Sequence, residues 1–266
     1  MRKIICFCLI LIAGLPAIAQ KTKKEKKDER KQKINALIKQ EEEGVIAYRK
    51  HNAWGFKLVN DGWGAFYEHG MGQSINKSLL FQLDFAERKH AKERKQTNPN
   101  LPTAPFIYGK INYFYPLKIG AQQQFLLGNK SNKNGVAVTG NVGGGISLGL
   151  LRPYYLEVND IPNGNRKTIK YESADSSTFK SNADLINLQV SSSGFSKGWN
   201  EIKITPGAYA KAALRFDYGR YNEVLSAVEV GVTAEYYSKK IQQVVFVAPN
   251  QLFVNVYVAL MFGKRK

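Results

Sequence analysis

The chain has 266 residues, 39 Lys and Arg against 21 Asp and Glu, a net charge of +18, and 44% hydrophobic residues. Its only cysteines, Cys6 and Cys8, lie at the amino end, so the remainder offers no thiol for a disulfide, a zinc–thiolate site or a cysteine nucleophile. No run of eighteen apolar residues follows position 19, which argues against a membrane-spanning helix.

Met1 to Ala19 reads as a secretory signal: Arg2 and Lys3, then apolar Ile4 to Leu15, then the small-x-small site Ala17-Ile18-Ala19. Its removal takes away two positive charges and leaves +16. Export separates this charge from nucleic acid and favours lipopolysaccharide phosphates, anionic lipids or an anionic solute as its partner. Residues 20–43 form a charged stretch with too little apolar surface for a core, expected as a partly helical periplasmic extension.

From Gly44 onward, strand patterns alternate with turn signals. Ten candidate strands are expected, at 44–59, 63–70, 78–88, 104–115, 117–128, 135–149, 154–158, 205–218, 222–238 and 249–263, with eight as the alternative. The last is the clearest: Leu252, Val254, Val256, Val258, Leu260 and Phe262 share one parity, and Asn255, Tyr257, Ala259 and Met261 the other. The same alternation sets Phe81, Leu83 and Phe85 against Gln82 and Asp84, and Ile107, Ile111, Tyr113 and Tyr115 against Lys110 and Asn112. It sets Ala208, Ala210, Ala212, Leu214 and Phe216 against Tyr209, Lys211 and Arg215, and Val228, Val230, Val232 and Ala234 against Glu229, Thr233 and Glu235. Strands of roughly ten residues with one apolar face are long enough to cross a bilayer when tilted. The fold class implied is an all-β transmembrane antiparallel barrel over 44–266, with the first set toward lipid and the second toward the lumen.

With the first strand starting inside, the expected inner turns are Met71–Lys77, Pro116, Leu150–Pro153 and Gly219–Tyr221. The outer loops are then Asn60–Gly62, Lys89–Thr103, Asn129–Asn134, Asn159–Ile204 and Lys239–Ala248, so long segments fall on one side.

Some strings resemble those of small outer-membrane β-barrel proteins of the Bacteroidetes type. They are Trp54 to Gly70, Leu83-Asp84-Phe85, Tyr108 to Asn112, Gly144 to Pro153, Glu201 to Lys211 and Phe262-Gly263-Lys264. The resemblance implies the barrel fold and an outer-membrane location, and implies no particular activity. The terminal aromatic strand resembles the signal read by barrel-assembly machinery, although Gly263-Lys264-Arg265-Lys266 follow Phe262.

Candidate chemistry is sparse. Gly145-Ile146-Ser147-Leu148-Gly149 has the spacing of a hydrolase nucleophile turn but alternates like a strand, while His51, His69, His90 and Ser74 are isolated. Gly143-Gly144-Gly145 lack the order of a phosphate loop. Glu157, Asn159 and Asp160 offer calcium-type oxygens in a weak pattern. No cofactor or metal is expected. The residues singled out are the lumen charges Asp84, Lys110, Lys118, Lys211, Arg215, Glu229 and Glu235, which should pair with one another because an unpaired desolvated charge is costly. The expected function is non-enzymatic: an outer-membrane barrel in assembly, secretion or adhesion. The alternatives are a small channel for anionic solutes and a membrane lipid hydrolase.

Overall fold

The computed structural model describes residues 50–74, 76–97, 104–130, 135–160, 165–170, 189–219, 223–245 and 247–266. The expected signal, 1–19, and extension, 20–43, lie outside the described residues. The strands are β1 (Lys50–Val59), β2 (Gly62–Ser74), β3 (Lys77–Arg88), β4 (Lys95–Gln96), β5 (Phe106–Ile107), β6 (Asn112–Gly128), β7 (Ala137–Pro153), β8 (Tyr155–Asp160), β9 (Asn165–Lys170), β10 (Gln189–Ser192), β11 (Lys203–Asp217), β12 (Val224–Ile241) and β13 (Asn250–Arg265). Eight of them close into an antiparallel barrel in the order β1-β13-β12-β11-β7-β6-β3-β2.

The count is therefore eight, not ten. Two expected breaks do not occur. Pro116 lies inside β6, opposite Gly149, and the β6–β7 ladder runs straight through it. The β3–β6 ladder does stop there: pairing runs from Lys77↔Phe125 to Phe85↔Leu117 and resumes only at Arg88↔Phe114. A missing proline N–H thus costs one ladder locally and leaves the strand intact on its other edge. Leu150–Pro153 is likewise not a turn. It is the end of β7, with Pro153 paired to Asn112. The expected strand at 154–158 is β8, which belongs to a separate sheet of order β10-β8-β9.

Both corrections preserve the asymmetry of the connections. Residues 60–61, 89–111, 154–202 and 242–249 join strands at one end, and 75–76, 129–136 and 218–223 at the other, where Lys50 and Lys266 also pair through their backbones. The connection between β6 and β7, expected outside, therefore belongs to the end where Lys50 and Lys266 pair.

Side-chain parity follows the pleat. Trp54, Phe56, Leu58, Phe81, Leu83, Phe85, Leu214, Phe216, Val230, Val232 and the even residues from Leu252 to Phe262 are on the outer wall, while Lys57, Glu68, Asp84, Lys118, Lys211, Arg215, Glu229 and Glu235 are buried inside. The expected parity fails at Ile107 and Ile111, which are buried, and holds at Tyr115, which faces outward yet is buried as well. Ile107 is in β5 and Ile111 in the connection before β6, both outside the barrel wall, and Tyr115 is covered by Trp199.

The long-loop end has its own core. Phe106, Ile107, Tyr154, Leu156, Val158, Ile169 and Val190 form a buried cluster, with Tyr108 and Tyr113 packed against it. The Tyr154 hydroxyl accepts from the Ile107 N–H at 2.9 Å, and burial raises its pKa. The connection 242–249 reaches across the barrel mouth. Gln243 carbonyl accepts from the Ile111 N–H at 2.8 Å, and Val245 N–H donates to the Gly109 carbonyl at 2.8 Å.

Candidate functional site: the ionised lumen and its cap

The lumen is filled by one set of charged side chains at two levels. At the level nearer the Lys50–Lys266 end, Arg215 on β11 donates to Glu68 on β2 from Nη1 (2.8 Å) and Nη2 (2.7 Å). The same guanidinium donates to Glu229 on β12 from Nε (2.9 Å) and Nη2 (2.7 Å). Glu229 also receives Lys211 Nζ at 2.7 Å, the Tyr257 hydroxyl at 2.7 Å and Asn141 Nδ2 at 2.9 Å. His51 Nε2 lies 3.0 Å from Glu68 Oε1.

At the level nearer the mouth, Glu235 on β12 accepts from Lys118 at 2.8 Å, from the Tyr237 hydroxyl at 2.8 Å and from Arg88 on β3. Asp84 pairs with Lys57 and, at 3.9 Å, with Lys118. Lys211 Nζ also donates to Gln82 at 3.0 Å, and Gln82 accepts from Gln122 beside it. Bidentate and charge-assisted bonds of this kind are the strong ones, and full pairing is what makes buried charge tolerable. A side chain on Gly120 would meet the Tyr209 hydroxyl, so this glycine of β6 leaves room for a ring that lies along the inner wall over Gly145 of β7.

Six of the seven singled-out charges meet in this network: Asp84, Lys118, Lys211, Arg215, Glu229 and Glu235. Lys110 does not. It precedes β6, makes an isolated bridge to Val244, and donates to Glu93 at 2.6 Å within the cap. Burial lowers its pKa, opposed by the Glu93 carboxylate. The strand expected at 104–115 does not reach it, since β6 begins at Asn112. Sequence reasoning missed Glu68, Lys57, Arg88, His51 and Tyr257. The signal was present for Lys57 and His51, since Trp54, Phe56 and Leu58 alternate with them.

The hydrolase candidates do not converge. Ser147 faces the lumen and its Oγ lies 2.8 Å from the Tyr237 hydroxyl. His69 has the opposite parity to buried Glu68 and sits 2.5 Å from the Asn52 side chain on the outer wall. Gly145 to Gly149 are continuous strand. Among the described residues no three His, Asp or Glu side chains stand together as a metal site, and no helix is long and apolar enough to cross a membrane.

An even-stranded closed barrel leaves no unpaired sheet edge, and here its outward face is apolar and its inward face ionised. That is the design required of strands that cross a bilayer. The class is that of outer-membrane β-barrel proteins.

No protein family and no curated protein matches the sequence. Among solved structures, the chain is similar to the N-terminal β-barrel domain of Pseudomonas aeruginosa OprF, at 10% identity and a TM-score of 0.37, covering 82% of this chain and 98% of that one. It is similar to Neisserial surface protein A at 12% identity and a TM-score of 0.36, covering 82% and 95%. It is also similar to Ail, the attachment invasion locus protein of Yersinia pestis, at 10% identity and a TM-score of 0.35, covering 83% and 100%.

Proposed function

We propose that this protein is a closed, non-enzymatic outer-membrane anchor that works through the folded cap at its long-loop end, as an assembly, secretion or adhesion component. The observation that supports this most is the pair of bridges, Arg215–Glu68 and Arg88–Glu235, laid across the lumen. A barrel of eight strands has just enough interior for side chains to fill. A crossing loop at the mouth and a core of its own in the cap add to the picture of a plug below and a display surface above. Lipopolysaccharide and anionic lipid are the partners this basic chain suits, and barrel-assembly machinery is the partner its last strand suits. Kinship with small barrels of the Bacteroidetes type rests on the sequence strings quoted above.

Planar-bilayer recording tests the reading. The purified protein should give no steady single-channel current, and Arg88→Ala with Arg215→Ala should create one by removing both crossings. Steady anion-selective current from the unaltered protein would replace the anchor with a small channel for anionic solutes.

A further inference from the structure

Residues 193–201 leave β10 and return to the barrel wall. Gly194 (φ 82°) and Gly198 (φ 89°) take left-handed conformations that give the segment its bends. Its inner side is fixed. The Trp199 ring stacks on Tyr115 at 5.8 Å and 19°, and its Nε1 donates to the Phe195 carbonyl at 2.9 Å. The Arg152 guanidinium also donates to that carbonyl, and it lies 4.6 Å from the Phe195 ring, 4.7 Å from Trp199 and 4.3 Å from Tyr113. Cation–ring contacts of this kind hold rings in place with little freedom lost elsewhere.

Two placements follow from the register. Phe114 and Leu151 are inward, in a cluster with Tyr237 and Ile241, so their neighbours Tyr115 and Arg152 face outward. Phe195 and Trp199 rest on them and are therefore radially outside the wall. Going down the same two strands from Tyr115↔Leu150, the next outward pairs are Leu117↔Leu148 and Ile119↔Ile146. Phe85 stacks on Tyr115 at 5.9 Å and 8°, and Leu83 and Phe81 continue below it. The segment thus rides on the upper rim of the apolar belt, yet Phe195 is 69% exposed and Trp199 37%. Lys197, which reaches Glu157 at 3.2 Å, and Lys203 are exposed beside them.

We propose that residues 193–201 form a hook that seats the cap in the lipid headgroup zone, with Phe195 and Trp199 entering the boundary of headgroups and acyl chains and Lys197 and Lys203 meeting phosphates. In a bilayer, the space outside the wall at the belt's rim is occupied by lipid. Amphipathic rings and long basic side chains are the residue types that settle there. The hook rests on the membrane-anchor reading. It adds that the cap is held by lipid as well as by its own core.

The chain has three tryptophans, Trp54, Trp63 and Trp199, which makes a direct test simple. Trp54→Phe with Trp63→Phe leaves Trp199 as sole reporter, and Trp63→Phe with Trp199→Phe leaves Trp54 on the belt. Each protein is inserted into phosphatidylcholine vesicles brominated at shallow or deep acyl positions. Trp199 should lose emission most to shallow bromines and little to aqueous iodide, and adding Phe195→Ser should restore its loss to iodide. Trp199 quenched by iodide and untouched by either lipid, while Trp54 is lipid-quenched, overturns the hook and leaves the anchor standing. So does protection of Trp199 from iodide by a soluble oligosaccharide alone, which would mark a sugar site. Absence of lipid quenching at Trp54 overturns the membrane reading itself and the hook with it.

Discussion

Arg215 and Glu68 stand on opposite walls, four strands apart whichever way the ring is followed, and two parallel hydrogen bonds of 2.8 and 2.7 Å join them. Arg88 and Glu235 span the ring in the same way nearer the mouth. The interior is thus cross-braced by ions, while the wall is held by backbone ladders.

Glu229 is the most heavily shared carboxylate. Glu229→Gln keeps its shape but leaves Lys211 and Arg215 short of one counter-charge, which should cost about 3–5 kcal/mol of unfolding resistance. Equilibrium urea unfolding from vesicles measures it. Combined with Lys211→Met, the losses should depart from additivity by roughly 0.5–3 kcal/mol, because the two groups are in contact. Simple additivity would show that the 2.7 Å pair does not couple.

On β13 the cost of arginine should depend on depth. Val256→Arg near the middle of the strand should cost about 2–4 kcal/mol, and Phe262→Arg near its end about 0–1 kcal/mol. Asn255 is inward but is no tolerant control. With its amide oxygen toward Arg88 it accepts from Nη1 at 2.6 Å, so Asn255→Arg sets two cations together and should also destabilise. A flat profile across the three would contradict the assigned faces.

The period of two in Leu252–Phe262 and in Ala208–Phe216 places outward and inward faces correctly, because one pleat governs a whole strand. Strand number was harder to read. Pro116 and Pro153 look like stops, yet a proline interrupts only the ladder its N–H would have served. Partners across the lumen were not legible at all. Arg215 and Glu68 are 147 positions apart, and nothing in local pattern ranks Glu68 above any other inward carboxylate. The cap was opaque for a similar reason: its core gathers Phe106, Leu156, Ile169 and Val190 from four short strands, β5, β8, β9 and β10, each too short to show a period.

Orientation is testable with single cysteines in a chain freed of Cys6 and Cys8. Lys92→Cys, exposed in the 89–111 connection, should react with an impermeant maleimide on intact cells, and Asn76→Cys, exposed at the opposite end, should react only after lysis. The reverse pattern would invert the barrel.

The cap carries a pH-sensitive clasp. Glu201 accepts from Lys170 at 2.5 Å and from the Tyr155 hydroxyl, and these bonds lower its pKa; the same bond to Glu201 raises that of Lys170. The carboxylate's contribution is present above its ordinary pKa and fades as pH falls through the lowered value. That of Lys170 is present below its ordinary pKa and fades as pH rises through the raised one. Emission from adjacent Trp199 should therefore hold steady through neutral pH and change at both extremes. Glu201→Gln should abolish the acid change.

The ladder between β1 and β13 joins the first barrel strand to the last. Glu68 and Arg88 lie on the β1 side of that seam and Arg215 and Glu235 on the β13 side, so the two braces close only when the first strand meets the last. Until the seam shuts, a curled sheet holds these two pairs a barrel-width apart, and hydrocarbon cannot solvate the charge left uncompensated. Zippering and charge compensation are consequently a single cooperative event. Whatever inserts this barrel must shelter its concave side through the last strand, and a chain missing one brace would linger there unreleased.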